Sequence, residues 1–208
     1  MAKKKVETAL ILRTCSADMK SHSDFQWPSE VGAVVEAPDW IASTECGNGL
    51  HGWLFGQGDH GCSSSASNPD AKWLVVEAVF ADVIELGGKV KFPRCTIRHI
   101  GDRKSATDFM LANEARSDGV AIIGATSTAG DKEHCQVGAL GSATAGDSGT
   151  ATAGYYGTAT AGDKGEIRIK FWDKKSQRHR TAQGYIGDDG LEPNVAYKIN
   201  AKNEFVRK

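Results

Sequence analysis

Between about Gly124 and Trp172, apolar and polar positions alternate in a register that repeats every sixteen residues. Cys135, Ala151 and Ile167 fall in one column and Val137, Ala153 and Ile169 in another; His134, Thr150 and Glu166, then Gln136, Thr152 and Arg168, make the polar columns. The other half of each repeat aligns Ser127, Ala143 and Ala159 beside Ala129, Ala145 and Ala161. Alternation with period two belongs to a strand with one buried face. A short fixed period belongs to units that stack because none can bury a face alone. Thr-Ala-Gly-Asp recurs at 128–131, 144–147 and 160–163, with Thr-Ala-Gly-Tyr at 152–155, so the elementary unit is an octad. The pattern predicts a short parallel β-solenoid of 16-residue coils, about three in number and narrow because its inward residues are mostly alanine. Gly130, Gly138, Gly146, Gly154 and Gly162 are expected at its corners, where backbone turns tightly.

The chain before the repeats reads as an α+β head over residues 1–117. Strands are predicted at Val6–Leu12, Val31–Ala37, Val83–Leu86, Lys89–Phe92 and Cys95–Ile100, and the apolar run Lys72–Phe80 reads as a central strand. Cys46–Trp53 is a glycine-punctuated turn entering a short element, and Ala106–Arg116 is the one clear helix, with Ser105 or Thr107 as candidate caps. The solenoid is assigned to 118–172 and a C-terminal cap to 173–208. Within the cap, 173–181 is open between helix and strand, while Val195–Ile199 and Glu204–Val206 read as a closing β-hairpin. Ile167, Ile169, Phe171 and Trp172 replace alanine where an open end must be covered.

Composition changes this picture in three places. The net charge of −1 excludes little, but 168–180 carries Arg168, Lys170, Lys174, Lys175, Arg178 and Arg180 against Asp173 alone. Such a run is either a solvated face or a patch for an acidic partner or phosphate backbone. Cys15, Cys46, Cys62, Cys95 and Cys135 are odd in number and scattered, and no secretory pattern precedes them; both facts imply a reducing cytoplasm. No apolar run is long enough for a membrane span, and no P-loop, dinucleotide fingerprint, nucleophile elbow or HExxH is present.

The segments Leu-Arg-Thr-Cys, Phe-Gln-Trp-Pro, Cys-Gly-Asn-Gly-Leu-His-Gly and Lys-Phe-Pro-Arg precede the octads, and Pro-Asn-Val-Ala-Tyr with Glu-Phe-Val follows them. This order resembles uncharacterised proteins of bacteriophages and prophages that join a small α+β domain to repeats similar to those of ice-nucleation proteins. The resemblance implies a viral gene product in the cytoplasm of a bacterial host, and it brings no established activity, catalytic residue or cofactor. The expected function is a noncatalytic binding protein that inhibits or sequesters a host defence-related protein or a nucleotide-like metabolite. A homo-oligomer formed through the solenoid is the expected assembly; membrane and nucleic acid are not expected as partners.

Candidate sites follow from residue type. Trp27, Trp40 and Trp53, with Arg13 and His51, suit base stacking and phosphate contact in the head. Arg13, His51 and Glu77 are also the residues an ADP-ribosyltransferase-like enzyme could use, although the ordered Arg/His, Ser/Tyr and Glu set is incomplete. Thr126/Thr128, Ser142/Thr144 and Thr158/Thr160 form Thr-x-Thr pairs on one face and Thr150/Thr152 on the other, a third reading being ice binding, with Arg168 and Lys170 at the end of the interaction surface. Cys46, His51, His60 and Cys62 are zinc-type ligands at a spacing that matches no common finger, so no metal or cofactor is expected.

Overall fold

The apolar run at Lys72–Val79 becomes a strand flanked on both sides, as its near-complete burial requires. The computed structural model describes residues 6–208. The chain divides into two units, Met1–Asp118 and Gly119–Lys208. The first is built from β1 (Thr8–Cys15), β2 (Val34–Glu36), β3 (Leu50–Leu54), β4 (Lys72–Val79), β5 (Ile84–Glu85), β6 (Val90–Phe92), β7 (Arg94–Gly101) and α1 (Arg103–Asn113). The strands form one sheet in the order β2-β7-β4-β1-β3-β6-β5, with every pairing antiparallel.

Alternation along β1 and β4 sends Ile11, Cys15, Leu74 and Val76 to one face, where they pack with Phe92, Ile97 and Trp27. Helix α1 covers the other face, with Phe109 stacked on His99 at 5.2 Å and the Arg103 guanidinium 5.6 Å from the Trp73 ring. The helix begins earlier than its apolar positions indicate. Asp102 caps it by accepting from Ser105 N at 2.7 Å, so Ser105 and Thr107 lie inside the first turns.

The second unit contains β8 (Thr126–Thr128), β9 (His134–Gln136), β10 (Ser142–Ala145), β11 (Thr150–Ala153), β12 (Thr158–Ala161), β13 (Glu166–Asp173), β14 (Arg178–Tyr185), β15 (Tyr197–Ile199) and β16 (Phe205–Arg207). Strands β8, β10 and β12 pair in parallel with Ser142 opposite both Thr126 and Thr158. Strands β9, β11 and β13 do the same, with Ala151 opposite both Cys135 and Ile167. Ala143, Ala145, Ala151, Ala153, Ala159 and Ala161 are buried between these two sheets, and Cys135 Sγ donates across to Thr144 O at 3.2 Å.

The expected class, an α+β head followed by a short parallel β-solenoid with a β-hairpin cap, is corrected by this topology. The protein is mostly β, with three sheets and one α-helix among the described residues. The first unit is an antiparallel sheet to which α1 is an addition, because only one stretch has apolar residues at helical spacing. The two sheets of the second unit are mixed, in the orders β16-β15-β12-β10-β8 and β14-β13-β11-β9. A parallel stack continues only if the chain travels around another sixteen residues before pairing. After Asp173 it instead reverses directly, and β14 runs back along β13 from Asp173↔Arg178 to Glu166↔Tyr185. The undecided segment 173–181 is that turn and the start of β14. The hairpin β15–β16 likewise joins an existing sheet, through Ala159↔Tyr197.

The corner glycines also have a different cause from the expected one. The left-handed residues of the corners are Gly124, with φ of 78°, and Lys132, Leu140, Ser148, Tyr156 and Lys164, with φ of 61°, 63°, 55°, 58° and 54°, and none of the five expected corner glycines is among them. Gly138, Gly154 and Gly162 are required because the neighbouring repeat passes too close for a side chain. A Cβ on Gly138 would stand 2.7 Å from Ile122 O, one on Gly162 2.7 Å from Asp147 N, and one on Gly154 would overlap Gly138 and Ala139 backbone. Gly130, which has no preceding repeat to meet, would approach only the Glu133 side chain.

Two substitutions test this packing. Ala153→Lys places a charge in the alanine core and is expected to lower stability by several kcal/mol, whereas Thr152→Lys, on the outward face one residue away, leaves the urea midpoint nearly unchanged. Gly154→Ala, a single added methyl, is expected to destabilise by about 1–3 kcal/mol through forced separation of adjacent strands; an unchanged thermal midpoint contradicts the close approach.

Candidate functional site

The register of β8, β10 and β12 converts a sequence repeat into a surface. Thr126, Ser142 and Thr158 stand side by side in one row, and Thr128, Thr144 and Thr160 in the other. Strand geometry sets the rows about 7 Å apart and the rungs about 4.8 Å apart. The corners hold this spacing: Asp147 N donates to Asp131 Oδ1 at 2.9 Å and Asp163 N to Asp147 Oδ1 at 2.8 Å, one aspartate anchoring the next repeat. The opposite sheet is chemically mixed. Thr150 lies between His134 and Glu166, and Thr152 between Gln136 and Arg168. Arg168 is held by Glu166 at 2.6 Å, and Lys170 continues along β13 opposite Thr181.

The head residues do not converge. Arg13 is buried on β1 with its guanidinium 3.5 Å from the centre of the Trp27 ring, and it donates to His51 O at 3.2 Å. Burial lowers its pKa, opposed by the neighbouring Cys15 and Cys95. Trp27 is itself sealed in the core, so the Arg13–Trp27 pair exists without an opening to solvent. Trp53 is buried too, donating Nε1 to Asp59 O at 2.8 Å with its ring 6.1 Å from Trp73. Trp40 covers Gly49 and lies 5.8 Å from Lys91 Nζ. Glu77 accepts from Thr8 Oγ1 at 2.9 Å and pairs with Arg98 at 3.1 Å, beside a shallow recess of about 220 Å³.

Glu77 sits opposite Leu10, and Trp53 opposite Leu12, which places His51 level with Thr14. Glu77 and His51 are therefore about 13 Å apart along the strands and about 10 Å across them. Of the six residues, the structure brings together Arg13 with Trp27, and Arg13 with the His51 carbonyl. It leaves Trp40, Trp53 and Glu77 elsewhere. Cys46 and Cys62 are exposed, and among the described residues no three His, Cys, Asp or Glu side chains assemble as metal ligands.

Sequence reasoning missed Lys91. Its side chain is fully buried, and its ammonium donates to Ser43 Oγ, Glu45 O and Gly47 O at 3.2, 2.9 and 3.3 Å, pinning the loop beneath it. A lysine between Val90 and Phe92 was the available signal, but only the folded loop supplies the three acceptors. His51, opposite Lys91 on β3, carries an imidazole whose Nε2 is buried without a hydrogen-bond partner. Burial, then Lys89, Arg13 and Lys91, lower its pKa to about 4.

An antiparallel sheet domain followed by in-register Thr and Ala repeats defines a β-rich, repeat-bearing class of protein. Residues 9–112, half of the 208-residue chain, match the family described as a domain of unknown function, DUF7666. The protein belongs to that family. It is also similar to ice nucleation proteins: at 40% identity over 112 residues to one of Pseudomonas syringae, at 37% over 116 residues to one of Pseudomonas fluorescens, and at 38% over 114 residues to InaU of Pantoea ananas. These matches cover 53%, 55% and 53% of this chain but 9%, 9% and 10% of the relatives, so the chain spans about a tenth of the length of the curated relatives it matches. No solved structure matches.

The buried imidazole makes the fold pH-sensitive. With a folded-state value near 4 and an unfolded value of about 6.5, the unfolded chain binds the proton preferentially between those limits. Stability is therefore full above about pH 6.5 and falls as pH drops toward 4. Urea midpoints measured from pH 7.5 to 4.5 are expected to decline in the wild type, and to decline less in His51→Gln.

Proposed function

We propose that the unit Gly119–Lys208 binds ice, using the outward face of β8, β10 and β12. The observation that carries this reading is the pair of in-register rows, Thr126–Ser142–Thr158 and Thr128–Thr144–Thr160. Each threonine offers a hydroxyl that both donates and accepts, beside a methyl group that water hydrates poorly. Repetition at fixed spacing lets such groups hold waters in a two-dimensional array, and the backbone register supplies the order in advance. Similarity to proteins named for ice nucleation supports the reading.

Size determines what kind of ice chemistry is available. Three rungs span about 10 Å by about 7 Å, a patch that adsorbs to an existing crystal but is too small to template a growing embryo. The opposite sheet is not part of the surface, because His134, Gln136, Glu166 and Arg168 interrupt Thr150 and Thr152 with charges and long side chains. An ADP-ribosyl-transferring reading would draw on His51 and Glu77, which lie about 13 Å apart along the strands of the first sheet.

Ice grown slowly through a protein solution separates adsorbed from rejected protein. The wild type is expected in the ice fraction and Thr144→Lys, which interrupts the central rung, in the liquid, both remaining folded by circular dichroism. Droplets of either should freeze at the temperature of buffer. Equal rejection of wild type and variant removes the proposal.

A further inference from the structure

The outward face of the other mixed sheet ends in a cluster that neither the repeat nor the ice-binding reading uses. Trp172 on β13 faces His179 on β14 across the hairpin, their rings 5.0 Å apart and edge to face. His179 also meets Tyr155 at 5.5 Å, and Tyr155 meets Tyr156 at 3.9 Å. These rings are not core: Tyr156 is 64% exposed and Trp172 36%, and His179 is exposed as well. Aromatic rings held against one another at a surface lose hydrophobic stabilisation that burial would provide, and rigid exposed π-faces are what stacking ligands use.

Cations surround the rings. Two of the six in 168–180 are neutralised, Arg168 by Glu166 at 2.6 Å and Arg180 by Asp173 at 3.3 Å. Lys170, Lys174, Lys175 and Arg178 have no carboxylate partner among the described residues. Asp173 is in addition tied to the turn itself, accepting from Ser176 Oγ at 2.7 Å and Lys175 N at 3.0 Å, which holds its pKa down at about 2. The lysines of the turn are left to face solvent.

We infer that the hairpin β13–β14 binds single-stranded nucleic acid, with bases stacking on Trp172, His179 and Tyr156 and phosphates meeting Lys170, Lys174 and Lys175. Strand alternation places Lys170 and Trp172 on the same face about 7 Å apart, so one nucleotide can be stacked while its neighbour's phosphate is paired. A polyanion without bases engages only the cations. A duplex presents phosphates but keeps its bases stacked within, so the aromatic cluster selects single strands. The basic run at 168–180 alone does not distinguish a solvated face from a phosphate-binding one; the rings that the fold sets beside it favour the second.

Fluorescence anisotropy on the full chain tests the inference, with a labelled single-stranded oligonucleotide of mixed sequence, the matching duplex, and heparin as competitor. The single strand should bind at least about tenfold more tightly than the duplex, with affinity falling as salt rises. Trp172→Ala should weaken single-strand binding by about tenfold or more while leaving heparin affinity unchanged, and Trp172→Phe, which keeps an aromatic face, should retain most of it. Lys170→Gln with Lys174→Gln should flatten the salt dependence by about one unit of slope for each phosphate contact removed. Failure of the wild type to bind at low salt overturns the proposal. So does equal affinity for single strand, duplex and heparin with Trp172→Ala indistinguishable from wild type.

Discussion

The second unit depends on backbone touching backbone. Where Gly138, Gly154 and Gly162 pass the preceding repeat, no Cβ can stand between the chains, so each repeat lies directly on the last. That closeness leaves room between the two sheets for little more than alanine, and Ala143, Ala145, Ala151, Ala153, Ala159 and Ala161 occupy it. With the inside so tightly specified, the register cannot slip by one residue without turning threonines inward. The outward rows of hydroxyls and methyls are a consequence of the same constraint.

The two outward faces then diverge because one is uniform and the other is not. Strands β8, β10 and β12 repeat threonine or serine at every outward position. On the opposite sheet the last parallel strand, β13, keeps Ile167 and Ile169 inside but carries Arg168, Lys170 and Trp172 outside. Its extension and reversal into β14 place the aromatic and basic side chains beyond the end of the repeats. The threonine rows and the aromatic and basic cluster therefore share no residues.

The first unit encloses two of its cations, Arg13 and Lys91. Arg13 stacks on Trp27 and Lys91 directs all three protons to loop oxygens. A buried charge is tolerable when its donors are met: Lys91 meets three acceptors, two of them backbone carbonyls, whereas Arg13 reaches His51 O and Thr14 O and leaves Nε without a partner. His51 beside them is held well below the usual imidazole range by burial and then by Lys89, Arg13 and Lys91, with Asp39 opposing them. Trp27 and Trp53 belong to this interior, Trp27 against Arg13, while Trp40 is half-buried over Gly49.

By itself, the sequence determined the parts that local periodicity controls. The sixteen-residue columns predicted the parallel registers residue by residue, as in Cys135, Ala151 and Ile167, because side-chain direction in a strand follows from position alone. The run at Lys72–Phe80 announced a central strand, and the alternating short runs announced most of the others. Only the tertiary structure decided that the described residues form three sheets with one α-helix, because nothing local distinguishes a chain that turns back after Asp173 from one that circles again. It alone decided that Glu77 and His51 lie apart, that Lys91 is enclosed by residues 43–47, and that Trp172 meets His179 and Tyr155. Each of those depends on which distant segment arrives alongside, and pairing partners across a sheet are set by the whole chain's packing rather than by the pattern of any one strand.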